Sequence, residues 1–328
     1  MPKLRDGPIS APWQPIRTRL AIVLLSIATG TSCAAAPAND STNVQTVMVR
    51  GQPIQVFTYR PSGCKNPSLL FVFHGALRNG EAARNAAERI ASRACLIVYA
   101  PLLDKRRFPT EAYQQGGIAH RGRVLPPAQW TVWFATDLVS WARQREHRPN
   151  APYYLFGHSA GGQYLSRVAA FALPRDARRI VVANPSTYVL PSLKEDAPYG
   201  LDQVASDSAE RQRLRDYLAQ PITIFLGGDD TGERELGTSD QAMRQGSNRL
   251  SRGVAVFRMA KRVAAENNWP FGWSLVVAPS VGHSSSNMLD APEAAEAFGL
   301  AMRPGPDRTN PPPRNAGRGV EQSPPRYL

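Results

Sequence analysis

Apolar residues in this chain fall into short, mostly unbroken runs at 69–73, 96–99, 153–156, 179–183, 222–226 and 274–278. Such runs lack the polar alternation of a half-exposed strand, so they predict strands buried on both faces, as in a parallel sheet. Between them, apolar positions recur every three or four residues. Residues 81–94 place Ala83, Ala86, Ala87, Ile90 and Ala94 on one helical stripe, with Asn79 as the N-cap. The same spacing predicts helices over 130–145, 160–172, 208–219, parts of 240–267, and 291–302. The tryptophans at 130, 133 and 141 fall on one such stripe and are expected to pack in the core. Residues 44–49 and 54–59 flank Gly51-Gln52-Pro53 and read as an antiparallel hairpin. Strands alternating with helices predict an α/β fold: a mainly parallel central sheet with an antiparallel N-terminal hairpin and helices on both faces. No internal repeat is present.

Composition trims the folded part. The chain has 328 residues and 29 prolines, with prolines concentrated towards the two ends. Residues 303–328 are mostly Pro, Arg, Gly and Asn, too poor in apolar side chains to offset their ordering entropy, and are expected to be a disordered tail. Near the start, Arg17 and Arg19 precede Leu20-Ala-Ile-Val-Leu-Leu-Ser-Ile-Ala and then small residues through Ala38, the layout of a secretory signal. That apolar run is too short to span a bilayer, which takes about 20 residues. The expected organisation is a signal segment at 1–38, one catalytic-sized domain at 39–302 and the tail. Gly30-Thr31-Ser32-Cys33 offers lipid attachment at Cys33 as the alternative to cleavage after Ala38, and with it the only expected membrane contact.

The formal charge is +13, but each end carries +3 of it, leaving about +7 on the domain. Only five of the 39 basic residues are Lys, and no zinc-finger, RRM or helix-turn-helix signature accompanies them, so nucleic acid is not an expected partner. Besides Cys33, the chain has Cys64 and Cys95, each just before a predicted strand. If those strands are neighbours in a parallel sheet, the two thiols lie close enough for a disulfide in an oxidising compartment. Closing that loop contributes about 3–4 kcal/mol in the chain-entropy picture. Neither cysteine has a partner at metal-ligand spacing, and no metal site is expected.

Chemistry concentrates at the ends of the predicted strands. Gly157-His158-Ser159-Ala160-Gly161 follows the strand at 153–156 and opens a helix. A sharp strand-to-helix turn exposes the serine hydroxyl, and only glycines leave room beside it. A serine needs a base. Of the five histidines, His283 sits in Pro279-Ser-Val-Gly-His283-Ser-Ser, beyond the last strand, and is the expected base. His158 is expected to point away from the serine, His74 to contribute its backbone rather than its ring, and His120 and His147 to lie in polar stretches. The acid comes from Gly227-Gly-Asp229-Asp230-Thr231 after the strand at 222–226. Asp230 is favoured because a triad acid lies a few residues past its strand, with Asp229 still open. Backbone donors for an oxyanion are expected at the Ala160 amide and, after Phe73-His74-Gly75, at the Ala76 amide, with Leu77 as its alternative. The loops 101–129 and 184–200 are expected to shape the pocket, with Tyr188 as a wall.

The set Phe73-His-Gly-Ala-Leu-Arg-Asn79, Ala100-Pro-Leu-Leu-Asp104, Gly157-His-Ser-Ala-Gly-Gly162, Leu226-Gly-Gly-Asp-Asp-Thr231 and Val281-Gly-His283 runs in α/β-hydrolase order. It resembles the secreted esterases related to polyhydroxybutyrate depolymerases and feruloyl esterases, many of whose depolymerases carry Cys where this chain has Ala76. The resemblance implies a Ser159/Asp230/His283 triad, an oxyanion hole at Ala76 and Ala160, no cofactor, and a small-molecule or polymeric ester as substrate. The rival readings are a peptidase or acyltransferase on the same residues, and a catalytically silent hydrolase fold that binds a partner.

Overall fold

The computed structural model describes residues 40–174 and 176–302. The expected signal segment, Cys33 and the tail lie outside the described residues. The predicted hairpin is β1 (Ser41–Val49) and β2 (Gln52–Arg60), paired antiparallel. The buried runs become β3 (Ser68–Phe73) and β4 (Leu96–Leu102), joined by α1 (Gly80–Ala94). Asn79 caps α1 as predicted, its side chain accepting from the Ala82 amide at 2.9 Å.

The long segment after β4 holds a two-stranded ribbon, β5 (Ala119–His120) with β6 (Arg123–Val124), and leads to α2 (Trp133–Arg145). Then come β7 (Tyr153–His158), α3 (Ala160–Arg167) and β8 (Arg179–Ala183); a π-helical turn over Val168–Ala172 extends α3. The remainder is α4 (Asp207–Leu218), β9 (Ile222–Gly227), α5 (Asp240–Met243), α6 (Arg249–Glu266), β10 (Ser274–Ala278), α7 (Ser285–Asp290) and α8 (Ala294–Phe298).

One eight-stranded sheet runs β1-β2-β4-β3-β7-β8-β9-β10. From β4 onward all neighbours are parallel; only the hairpin and its junction with β4 are antiparallel. The expected fold class therefore holds. Parallel pairing aligns the carboxyl ends of β3, β7, β9 and β10 along one edge, where ligand sites form in open α/β sheets. Two cores flank the sheet. One gathers Phe71, Phe73, Tyr164, Leu226 and Trp130; the other gathers Leu70, Val72, Phe156, Phe225 and Phe298. Trp130 is in the first core, with Trp133 and Trp141 packed against it, as the stripe predicted.

Cys64 and Cys95 form a disulfide with Cα atoms 5.7 Å apart. The parallel register of Ser68 with Leu96 brings those strand starts together. Among the described residues, no helix is long and apolar enough to cross a membrane. The carboxyl end departs from expectation: 291–302 is not one helix. Pro292 keeps Ala291 extended, at φ −61° and ψ 144°, and Gly299 ends α8 in the left-handed region at φ 63°.

Candidate active site

Ser159 stands between β7 and α3 at φ 57° and ψ −116°, a conformation that L-residues rarely adopt. The surrounding glycines make it possible. A Cβ on Gly157 would overlap the carbonyl of Gly161, and one on Gly161 would overlap the carbonyl of Phe73. The turn is thus pressed against the end of β3. The Ser159 amide donates to Ala183 O at 3.0 Å, tying the turn to β8 as well. At the start of α3, the Ala160 amide has no acceptor within its own helix and is free to serve a ligand.

His283 and Asp230 arrive on neighbouring loops. A Cβ on Gly227 or Gly228 would overlap the backbone at Val281 or Pro279, so these glycines let the two loops lie against each other. The Asp229 amide donates to Val281 O at 3.1 Å, which fixes that approach, while the Asp229 side chain faces solvent. Asp230 is 3% exposed and is the carboxylate that meets the histidine. His283 Nδ1 lies 2.6 Å from Asp230 Oδ2, and His283 Nε2 lies 3.0 Å from Ser159 Oγ. An ionised carboxylate only accepts, so Nδ1 carries the proton and Nε2 is left to accept from the serine hydroxyl. This arrangement can take a proton from Ser159 and stabilise the imidazolium that results.

Three residues have roles at the site that sequence reasoning missed. Arg249, from the first turn of α6, is buried, with Nη1 3.5 Å from Asp230 Oδ1. Its other donors reach Gly232 O at 3.4 Å and Arg234 O at 2.7 Å. The carboxylate thus serves His283 with one oxygen and meets a guanidinium at the other. An arginine after the N-cap Asn248 gives no sequence signal of this, because the contact spans 19 positions and depends on α6 lying beneath the loop.

His158 does not point away, contrary to expectation. Its ring centroid is 4.5 Å from that of His283. Side chains alternate along a strand, but the left-handed turn at Ser159 breaks the alternation and brings both to the cleft. Burial, then the His283 and Arg249 charges, holds the His158 imidazole well below the usual histidine range. It therefore stays neutral beside the His283 ring.

His74 uses its ring, again against expectation. Its Nδ1 donates to Gly75 O at 3.0 Å and its Nε2 accepts from the Leu103 amide at 3.0 Å, while its carbonyl accepts from Tyr113 Oη at 2.7 Å. Burial, the largest cause, lowers its pKa to about 4. A neutral ring thus fastens the turn that carries Ala76 to the end of β4.

A cleft of about 350 Å³ opens beside Ser159, lined by Gly75, Ala76, Leu77, Ala82, Glu235 and Ser285 together with the histidines 74, 158 and 283. Ala76 is among the residues that line it. The pocket-loop expectation fails: no residue of 101–129 or 184–200 lines the cleft. Tyr188 is 1% exposed and sits in the core against α6, so it is not a wall. Both loops contribute apolar side chains to that core, Tyr113 and Ile118 from one and Tyr188 and Val189 from the other, which draws them inward.

No protein-family model matches this chain, and no curated protein does. Solved structures do. The poly(3-hydroxybutyrate) depolymerase of Bordetella parapertussis superimposes with a TM-score of 0.72 at 30% identity, over 80% of this chain and 94% of that one. Poly(aspartic acid) hydrolase-1 of Sphingomonas sp. KT-1 gives 0.70 at 31% identity, over 81% and 99%. The chain belongs to the α/β-hydrolase superfamily. An S-formylglutathione hydrolase of Agrobacterium tumefaciens, at 16% identity and a TM-score of 0.50, shares the fold alone. As an α/β-hydrolase similar to a depolymerase and a poly(aspartic acid) hydrolase, this chain has hydrolase as its class.

Proposed function

We propose that this α/β-hydrolase is an exported serine esterase that cleaves carboxylic esters through an acyl-enzyme. The observation that carries the reading is the unbroken chain from Ser159 Oγ through His283 to Asp230, at 3.0 and 2.6 Å. Ser159 attacks the ester carbonyl as His283 Nε2 takes its proton. Charge developing on the carbonyl oxygen is met by the amides of Ala160 and Ala76. The imidazolium returns the proton to the departing alkoxide, leaving Ser159 acylated. Water, deprotonated by His283, then releases the acid and restores the serine. The lining of Leu77, Ala76, Ala82 and Ala83 suits an apolar ester rather than a heavily solvated one.

Export is supported by the disulfide, since such bonds persist in oxidising compartments, together with the signal-like leader. The catalytic domain is taken as 39–302. A neutral polyester fits the kinship with the depolymerase and remains within the same chemistry.

The test is hydrolysis of p-nitrophenyl butyrate by the full chain and by Ser159→Ala. The variant is expected to lose about 10⁴–10⁶-fold in kcat. A fluorophosphonate probe should label the wild type at Ser159. Retained turnover in the variant sinks the reading, whereas no turnover and no labelling of the wild type favour a silent binding protein.

A further inference from the structure

Glu235 is the one carboxylate lining the cleft, and the lining contains no Arg or Lys. It is exposed, and among the described residues no cation pairs with it. Its place is built rather than incidental. The residue holds a left-handed conformation, φ 55°, without being glycine. The backbone on both sides is pinned from below by buried guanidiniums. Arg249 holds the Arg234 carbonyl at 2.7 Å, and Arg252 holds the Gly237 carbonyl at 3.0 Å. Ser186 Oγ accepts from the Gly237 amide at 2.5 Å. Arg252 has no carboxylate partner among the described residues; its other donors go to the carbonyls of Gly246 and Ser186. The two arginines therefore serve to fix the segment 232–237, and with it the position from which Glu235 meets the cleft.

The cations that flank the cleft do not cancel this charge. Arg78 is committed to the carbonyls of Leu103 and Phe108 at 2.9 and 2.8 Å and lies over the Tyr113 ring. Arg249 is committed to Asp230. Leu77, 89% exposed, and the α1 residues Ala82 and Ala83 line the same cleft. The lining thus combines apolar side chains with one carboxylate.

We infer that Glu235 is a charge filter: resting on the esterase reading, it directs the site to uncharged and cationic esters and against esters bearing a carboxylate near the scissile bond. The net charge of +13 would by itself favour anions at long range, but exposed charges beyond about 8–10 Å are screened at physiological salt. At contact range the single carboxylate decides. A polyanion such as poly(aspartic acid), the named substrate of one solved relative, is then a poor fit here, and a neutral polyester a good one.

The test uses three phenyl esters of butyric acid differing at the meta position: unsubstituted, carboxylate and trimethylammonium. The readout is the ratio of kcat/KM for the cationic ester over the anionic one. Comparing that ratio between enzymes cancels leaving-group reactivity and any general loss of activity. In Glu235→Gln the ratio is expected to fall about tenfold, and in Glu235→Lys further, on the scale of one charge pair at a few ångströms in a wet site. Wild-type turnover of the neutral ester with a ratio unmoved by either variant overturns the filter and leaves the esterase reading standing. Turnover of none of the three esters by the wild type overturns the esterase reading, and the filter with it.

Discussion

Around Ser159 the constraint is steric and local. Within six residues, Gly157, Gly161 and Gly162 allow β7, α3 and the end of β3 to approach so closely that no side chain fits between them. Around Asp230 the constraint comes from far along the chain. The acid is aimed by Arg249, the loop behind it is tied down by Arg249 and Arg252, and its flank is the backbone at Pro279 and Val281. Ser159 is placed by what is missing from its neighbours. Asp230 is placed by what distant residues supply. A turn of the first kind leaves a short, readable signature, whereas a network of the second kind is spread over side chains that look ordinary where they occur.

The contrast can be broken from either side. Among substitutions that leave Ser159, Asp230 and His283 in place, the largest loss of activity is expected from Gly161→Ala. Its new methyl group would overlap the Phe73 carbonyl, which is backbone and cannot swing aside. A shift of about 1 Å at the nucleophile costs about 100-fold in kcat/KM, measurable with p-nitrophenyl butyrate. Arg249→Met attacks the other side. It strands the Asp230 carboxylate in a buried site, and breaking such a pair costs about 3–5 kcal/mol of stability in urea unfolding. The accompanying fall in kcat is expected to be smaller, about tenfold, because Asp230 still reaches His283. If Arg249→Met lost as much activity as Gly161→Ala at no cost in stability, the distinction drawn here would fail.

A graded effect, read on stability rather than activity, is expected from acid. Burial chiefly lowers the folded pKa of His74 to about 4, against an ordinary histidine value of 6.5. Between those values the unfolded chain binds a proton that the folded one refuses. The stability contributed by the neutral ring is therefore complete above pH 6.5 and lost as pH falls towards 4. The shift corresponds to about 3 kcal/mol. Urea midpoints measured across that window should fall in the wild type and fall less steeply in His74→Gln, whose amide oxygen can still accept from Leu103. Equal slopes would remove His74 from the account.

Much of the architecture is legible in the residues. The buried runs locate the strands, the hairpin and the cap at Asn79, and the Gly-x-Ser-x-Gly turn, the Gly-Gly-Asp-Asp loop and the Gly-His loop name the three side chains that the fold brings together. The choice between Asp229 and Asp230 needed burial, because adjacent aspartates differ only in which of them the loop turns inward. The expectation that 101–129 and 184–200 line the pocket failed for a related reason. Polar, Pro- and Gly-containing stretches look like pocket walls, but Tyr113, Ile118, Tyr188 and Val189 are apolar anchors that draw those loops into the core.

By itself, the sequence determined the α/β-hydrolase fold, the strained serine turn and the candidate base, because periodicity and glycine spacing are local consequences of how a backbone packs. Tertiary structure alone decided the roles of Arg249, His158 and His74, the position of Glu235 and the identity of the cleft walls. Those depend on hydrogen bonds and ring contacts between residues far apart in the chain, which no short pattern encodes and only the closed sheet edge brings within reach.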